Sequence, residues 1–303
     1  MISIIREREI IQCAADVIRD NGFTSLPVDP RKIASAAKIE LMPWNPDKLG
    51  ISGFLMRAGE DFGIGYSTAI QNQGFINFTI AHELGHYFLS GHVEAVIGYG
   101  SGIHYSASGF VSNDVHEREA DALAAELLMP QSFFKSALQN AGVGFNAIQT
   151  LAEAAGTSIV ATAIRFAKLA DDPVAVVLTT GSQVEWCFVS NELRKCRGVY
   201  PLGKRSVLPA TSTTAKFNSD SARIDRAEQE EGCCSLRDWF ENAVDLEVKE
   251  DVVGLGHYGK TLTVLFADEL PTEDDDGPED EEEDTLTGLP SSRWRARDQS
   301  RLA

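Results

Sequence analysis

The ten residues TIAHELGHYF, 79 to 88, constrain this chain more than any other stretch. They are apolar on nearly every side of a helix running from about Asn77 to Leu89, so that helix is expected to be buried. Ser90-Gly91 reads as its stop. Within it His82-Glu83-x-x-His86 is either a zinc site or a chance spelling inside a core helix.

Helix geometry separates the roles. Positions i and i+4 share a face, so His82 and His86 can direct ring nitrogens at one ion. Glu83 lies about 100° round the helix, off that axis but within reach of a water beside the ion. A hydrolytic zinc takes three protein ligands and leaves a position for water. The third ligand can come from His92, Glu94, His104, His116, Glu117 or Glu119. Glu117 is favoured, because Glu117 and Asp121 share one face of a helix running from about Asp114 to Met129. One can then ligate while Asp121 holds the far nitrogen of a ligand histidine. Glu119 stays open as the alternative, and Glu117 has a rival role as partner of Asp114 in a capping box. His104 and Tyr105, in a glycine-rich stretch, are candidates for stabilising an oxyanion. Gly85, between the motif histidines, suits close helix packing.

The rest of the chain supplies a frame. Helices are expected over Arg6 to Asp20, from Pro30 to Ala37, and through 131–170 with a break at Gly156-Thr157-Ser158. That broken pair has the outline of a helix-turn-helix, but two helices packed on the core is the preferred reading, since its few bases are matched by acids. Residues 51 to 70 read as a hairpin about Gly59-Glu60-Asp61, whose edge an extended substrate could pair with. From Pro173 the texture becomes strand-rich, starting with a hairpin that turns at Gly181-Ser182. The expected division is 1–172, a helical domain with a small sheet; 173–270, a strand-rich α+β domain for sensing or substrate recognition; and 271–303, a disordered acidic tail.

Of the net charge of −18, one run of that tail, residues 271 to 284, holds ten acids and no base, leaving −8 for the rest of the chain. Neither figure suits a nucleic-acid partner, which needs clustered Lys and Arg. Five cysteines without CxxC spacing point to reduced thiols. With no run approaching about 18 apolar residues and an N-terminus charged early, the expected location is the cytosol.

Three pieces, LPVDPRKIASAAKIEL, FTIAHELGHYFLSGH and EREADALAAELLMP, follow one another within about residues 5 to 135. In this order they resemble the ImmA/IrrE metallopeptidases. The resemblance implies a zincin-like α+β domain of the gluzincin kind, His82, His86 and Glu117 as Zn2+ ligands, and Glu83 as general base. It also implies cleavage of a regulatory protein, often a helix-turn-helix repressor, in response to stress or a mobile element. Family members often carry an Arg shortly before the Phe-Thr of the motif helix, where this chain has Gln73 to Asn77. The rival function is a DNA-binding regulator, or a binding module of the toxin and antitoxin type, around a non-catalytic zinc.

Overall fold

The structure, a computed structural model, describes residues 2–45, 50–107, 114–267 and 270. Helix α1 (Ile4–Asp20) starts where the Ser3 hydroxyl accepts from the Arg6 amide, and it buries Ile10, Ala14, Val17 and Ile18 along one stripe. Helix α2 (Pro30–Ala36) is capped by Asp29 and has Pro30 in its first turn, where a missing N–H costs nothing.

The first sheet contains β1 (Glu40–Trp44), β2 (Ile51–Ala58), β3 (Asp61–Ser67) and, after two helices, β4 (Gly102–Ala107), in the order β1-β3-β2-β4. Strands β2 and β3 form the expected hairpin. Both are interior, however, because β1 pairs parallel to β3 and β4 pairs antiparallel to β2. The edge beside the motif histidines is therefore β4, a strand in a stretch whose glycines predict a loop.

The motif helix α3 (Gln73–Phe88) lies on this sheet, where Ile80 and Leu84 pack with Leu55 and Ile64. It is followed by the short α4 (His92–Val96) and by α5 (Val115–Leu128), which runs against both α3 and α1. Helices α6 (Gln131–Leu138), α7 (Gly144–Ala155) and α8 (Ile159–Leu169) come next. Asn77 ties these pieces together: its Oδ1 accepts from Arg31 at 2.6 Å and its Nδ2 donates to Gly156 O at 2.8 Å.

The second sheet is antiparallel throughout, in the order β6-β5-β9-β8-β7, from β5 (Val174–Thr180), β6 (Gln183–Val189), β7 (Gln229–Ser235), β8 (Glu247–Gly254) and β9 (Thr261–Phe266). Strand β5 is apolar at nearly every position because both of its faces are covered. Val174, Val176 and Leu178 meet the helices, whereas Ala175 and Val177 meet a separate cluster around Leu236, Trp239 and Phe240. The helix-facing cluster runs from Ala81 on α3 through Phe166 on α8 to Phe266 on β9, and so crosses residue 172. Phe166 is fully buried there. Phe166→Ala is expected to destabilise the chain by about 3–5 kcal/mol in denaturant titration, and a change below about 1 kcal/mol would contradict a packed cluster.

Helix α8 packs on the core, in keeping with the preferred reading of the broken pair. Ala161, Thr162, Ala163, Arg165, Phe166 and Ala167 are buried, and both Arg165 terminal nitrogens donate to Glu126 at 2.7 Å. The second helix of the pair thus turns most of its surface to the core, and its less buried stripe, Val160, Ile164 and Lys168, carries a single base. Among the described residues no single helix is long and apolar enough to cross a membrane. All five cysteines are free. The expected disordered tail, residues 271–303, lies outside the described residues.

Candidate metal centre

The site is built where α3 crosses α5. Gly85 makes the crossing close, since a Cβ there would stand 2.9 Å from the Ala120 Cα. The close approach sets Glu117, almost one turn before Ala120, over the two motif histidines. His82 Nε2 and His86 Nε2 are 3.1 Å apart. Glu117 Oε2 is 3.3 Å from the first and its Oε1 is 3.4 Å from the second.

An ion with tetrahedral bonds of about 2.0–2.1 Å holds its ligand atoms roughly 3.3–3.4 Å apart. The three shortest approaches are near that spacing, with a different carboxylate oxygen facing each ring, and two imidazoles with a carboxylate are a donor set of hydrolytic zinc sites. Among the described residues His82, His86 and Glu117 form the group that can hold a metal. On the far side of its ring, His82 Nδ1 meets Asp121 Oδ1 at 2.8 Å, the orienting contact expected of Asp121.

Electrostatics make the cluster unusual. Burial disfavours charge on His82, but its bonds to Asp121 and Glu117 outweigh that and push its pKa up to about 10. Burial and the neighbouring imidazoles hold His86 down to about 4. Glu117 is also desolvated, yet bonds to His104, His82 and His86 keep it well below the usual carboxylate range. The site therefore sets an anionic carboxylate between a neutral His86 and a protonated His82, and ligation requires His82 to give up its Nε2 proton.

Glu83 faces the sheet instead. It is fully buried, and neither of its oxygens has a hydrogen-bond partner among the described residues. Burial pushes its pKa up to about 7, in part offset by the charge of His82 and by the Ser106 hydroxyl, which lies near without reaching hydrogen-bond geometry. Gly53 on β2 leaves room for this carboxylate, since a Cβ there would come within 3.0 Å of Glu83 Oε1. Burial, the want of a partner among the described residues and a raised pKa are features that proton-transfer groups share.

Strand alternation divides the two oxyanion candidates. His104 points inward, with Nε2 2.8 Å from Glu117 Oε1. Tyr105 is on the opposite face with Phe54 and Trp44, at ring separations of 5.7 and 6.2 Å, and so does not belong to the site. The capping role weighed for Glu117 does not engage its side chain, which meets histidines; Asp114 caps α5 by accepting from the His116 amide. Glu119 points away from the three ligand atoms toward Arg6, and Glu94 is exposed. His92 has the spacing of a metzincin third histidine, six residues beyond His86, but Leu89 stands where that motif has glycine. Its ring contacts the back nitrogen of His86, not the metal side. Gly53 and Ser106 had escaped sequence reading, although the inward period of His104 and Ser106 within GIHYSA was a usable strand signal.

Residues 74–167 match the family model Peptidase_M78, described as the IrrE N-terminal-like domain. They form an IrrE N-terminal-like domain. This IrrE-like domain takes in α3, α5 and most of α8, and its family is one of metallopeptidases. Among solved structures, one titled "Mycobacterium tuberculosis transcriptional regulator" shares the fold, with a TM-score of 0.52 and 12% identity over 85% of this chain and 76% of that one. No curated protein matches the sequence.

Proposed function

We propose that the chain is a zinc-dependent endopeptidase that cleaves a regulatory protein, with a helix-turn-helix repressor as the first candidate. The observation that carries this reading is the convergence of His82, His86 and Glu117 beside a buried, unpartnered Glu83 within an IrrE-like domain. When bound, a divalent ion supplies Lewis acidity toward water and the scissile carbonyl.

The chain's own groups do the rest. Glu83 takes a proton from the attacking water and delivers it to the amide nitrogen as the C–N bond breaks, leaving a carboxylic acid and an amine. Asp121 fixes the ring of His82, and His104 steadies Glu117. Strand β4 has one neighbour among the described strands, so its outer side offers main-chain groups to an extended peptide. We assign substrate recognition or sensing to residues 173–270. The likeness in fold to a transcriptional regulator is in keeping with a place in gene control.

The test is co-purification with a repressor encoded beside this chain, followed by incubation with zinc or with a chelator. Discrete fragments that appear with zinc and vanish with chelator are the expected result. An intact partner under both conditions, with the protein loaded with zinc, counts against an endopeptidase.

A further inference from the structure

The far nitrogen of His82 meets a carboxylate directly, but that of His86 does not. His86 Nδ1 is 3.3 Å from His92 Nδ1; His92 Nε2 is 3.0 Å from Glu119 Oε2; and the same oxygen is 2.8 Å from Arg6 Nε. His86 and His92 are 0% and 1% exposed, so both rings are shielded from bulk solvent. Four residues from α3, α4, α5 and α1 thus form one line behind the site.

Helix geometry explains why an imidazole is interposed. Glu117 and Asp121 share the face of α5 that looks at the ligands, whereas Glu119 is about 200° round from Glu117 and looks toward α1. Its carboxylate does not reach His86, and His92, turned back by Gly91 at φ 82°, bridges the gap.

The protons along this line have one arrangement compatible with ligation. A neutral His86 that offers its Nε2 lone pair carries its proton on Nδ1 and donates it to His92 Nδ1. His92 then carries its own proton on Nε2 and donates to Glu119, which also accepts from Arg6. Each donor meets one acceptor.

We propose that Arg6, Glu119 and His92 are a positioning chain that fixes the tautomer and orientation of His86, making the N-terminal helix α1 part of the metal centre. It rests on reading His82, His86 and Glu117 as metal ligands. Outer partners of ligand histidines typically change metal affinity by about 10–100-fold, which sets the scale of the effect.

The experiment uses the full chain stripped of metal, with zinc affinity measured by competition against a chromophoric chelator and the ring tautomers read by 15N NMR of the zinc-loaded protein. His92→Leu is expected to weaken zinc binding by roughly 10–100-fold. His92→Asn, whose amide oxygen can accept from His86 Nδ1, should recover most of the loss. Glu119→Gln, of equal size, should cost about tenfold while circular dichroism of the metal-free protein stays unchanged, and it carries the test if His92→Leu fails to fold. The wild-type spectrum should show the His86 proton on Nδ1. Wild-type affinity in both His92→Leu and Glu119→Gln overturns the chain alone, whereas a His86 proton on Nε2 overturns ligation through that nitrogen and the chain with it. Loss of zinc by His92→Leu as complete as that caused by removing Glu117 would make His92 a ligand and also overturn it. Wild-type protein that takes no zinc overturns the metal reading and the chain together.

Discussion

Glu83→Gln is expected to keep its metal, keep its fold and lose peptide cleavage. The side chain is fully buried beside Gly53 and Ser106, and Gln matches Glu in size, so the α3 backbone has no reason to move. His82, His86 and Glu117 contact one another without Glu83. A positioned general base is typically worth about 10²–10⁴ in rate, and an amide at this position cannot accept the proton of the attacking water. The measurement pairs metal content with the rate of fragment formation: undiminished zinc with a rate lowered at least about 100-fold is the expected pattern. Cleavage at the wild-type rate would assign the proton transfer elsewhere. The same change removes a desolvated carboxylate with no partner, so the melting temperature of the metal-free variant should equal or exceed that of wild type.

Glu117→Ala acts on the other side of the site and is expected to abolish metal retention. Glu117 is the carboxylate that three imidazoles share, at 3.3, 3.4 and 2.8 Å from His82, His86 and His104. Zinc held by a full set of protein ligands is worth about 10–16 kcal/mol, so one ligand carries on the order of 3–5 kcal/mol, or roughly 10²–10⁴ in affinity. Dialysed Glu117→Ala should therefore contain no zinc under conditions in which wild type keeps it. The contrast with Glu119→Gln is informative because the two positions are only two residues apart on α5 yet face different elements. Equal losses at both would mean that α5 presents its carboxylates otherwise than described.

What could be read from sequence was what is local. The i, i+4 pairing of His82 with His86 and the shared face of Glu117 and Asp121 follow from helix periodicity. The hairpin turn at Gly181-Ser182, where Thr180 pairs with Gln183, follows from its two-residue turn signal. The misses are tertiary. Strand β1 contains Pro43, an unpromising strand residue that a sheet edge tolerates, and β4 hides in a glycine-rich run. Without β4, the sequence places the substrate-facing edge on the hairpin and Tyr105 beside the chemistry. The contact between Glu119 and Arg6 spans 113 residues, and no local pattern announces it. His92 was visible as a candidate ligand, but its role depends on which nitrogen of His86 it meets, which only the fold decides.

The account depends on one ion being held by side chains of α3 and α5. Anomalous X-ray scattering at the zinc absorption edge, from crystals of the zinc-loaded protein, locates that ion without reference to activity. One peak per chain is expected, about 2.0–2.2 Å from His82 Nε2, His86 Nε2 and a Glu117 carboxylate oxygen. No peak between those three residues, or a single peak elsewhere in the chain, would contradict it.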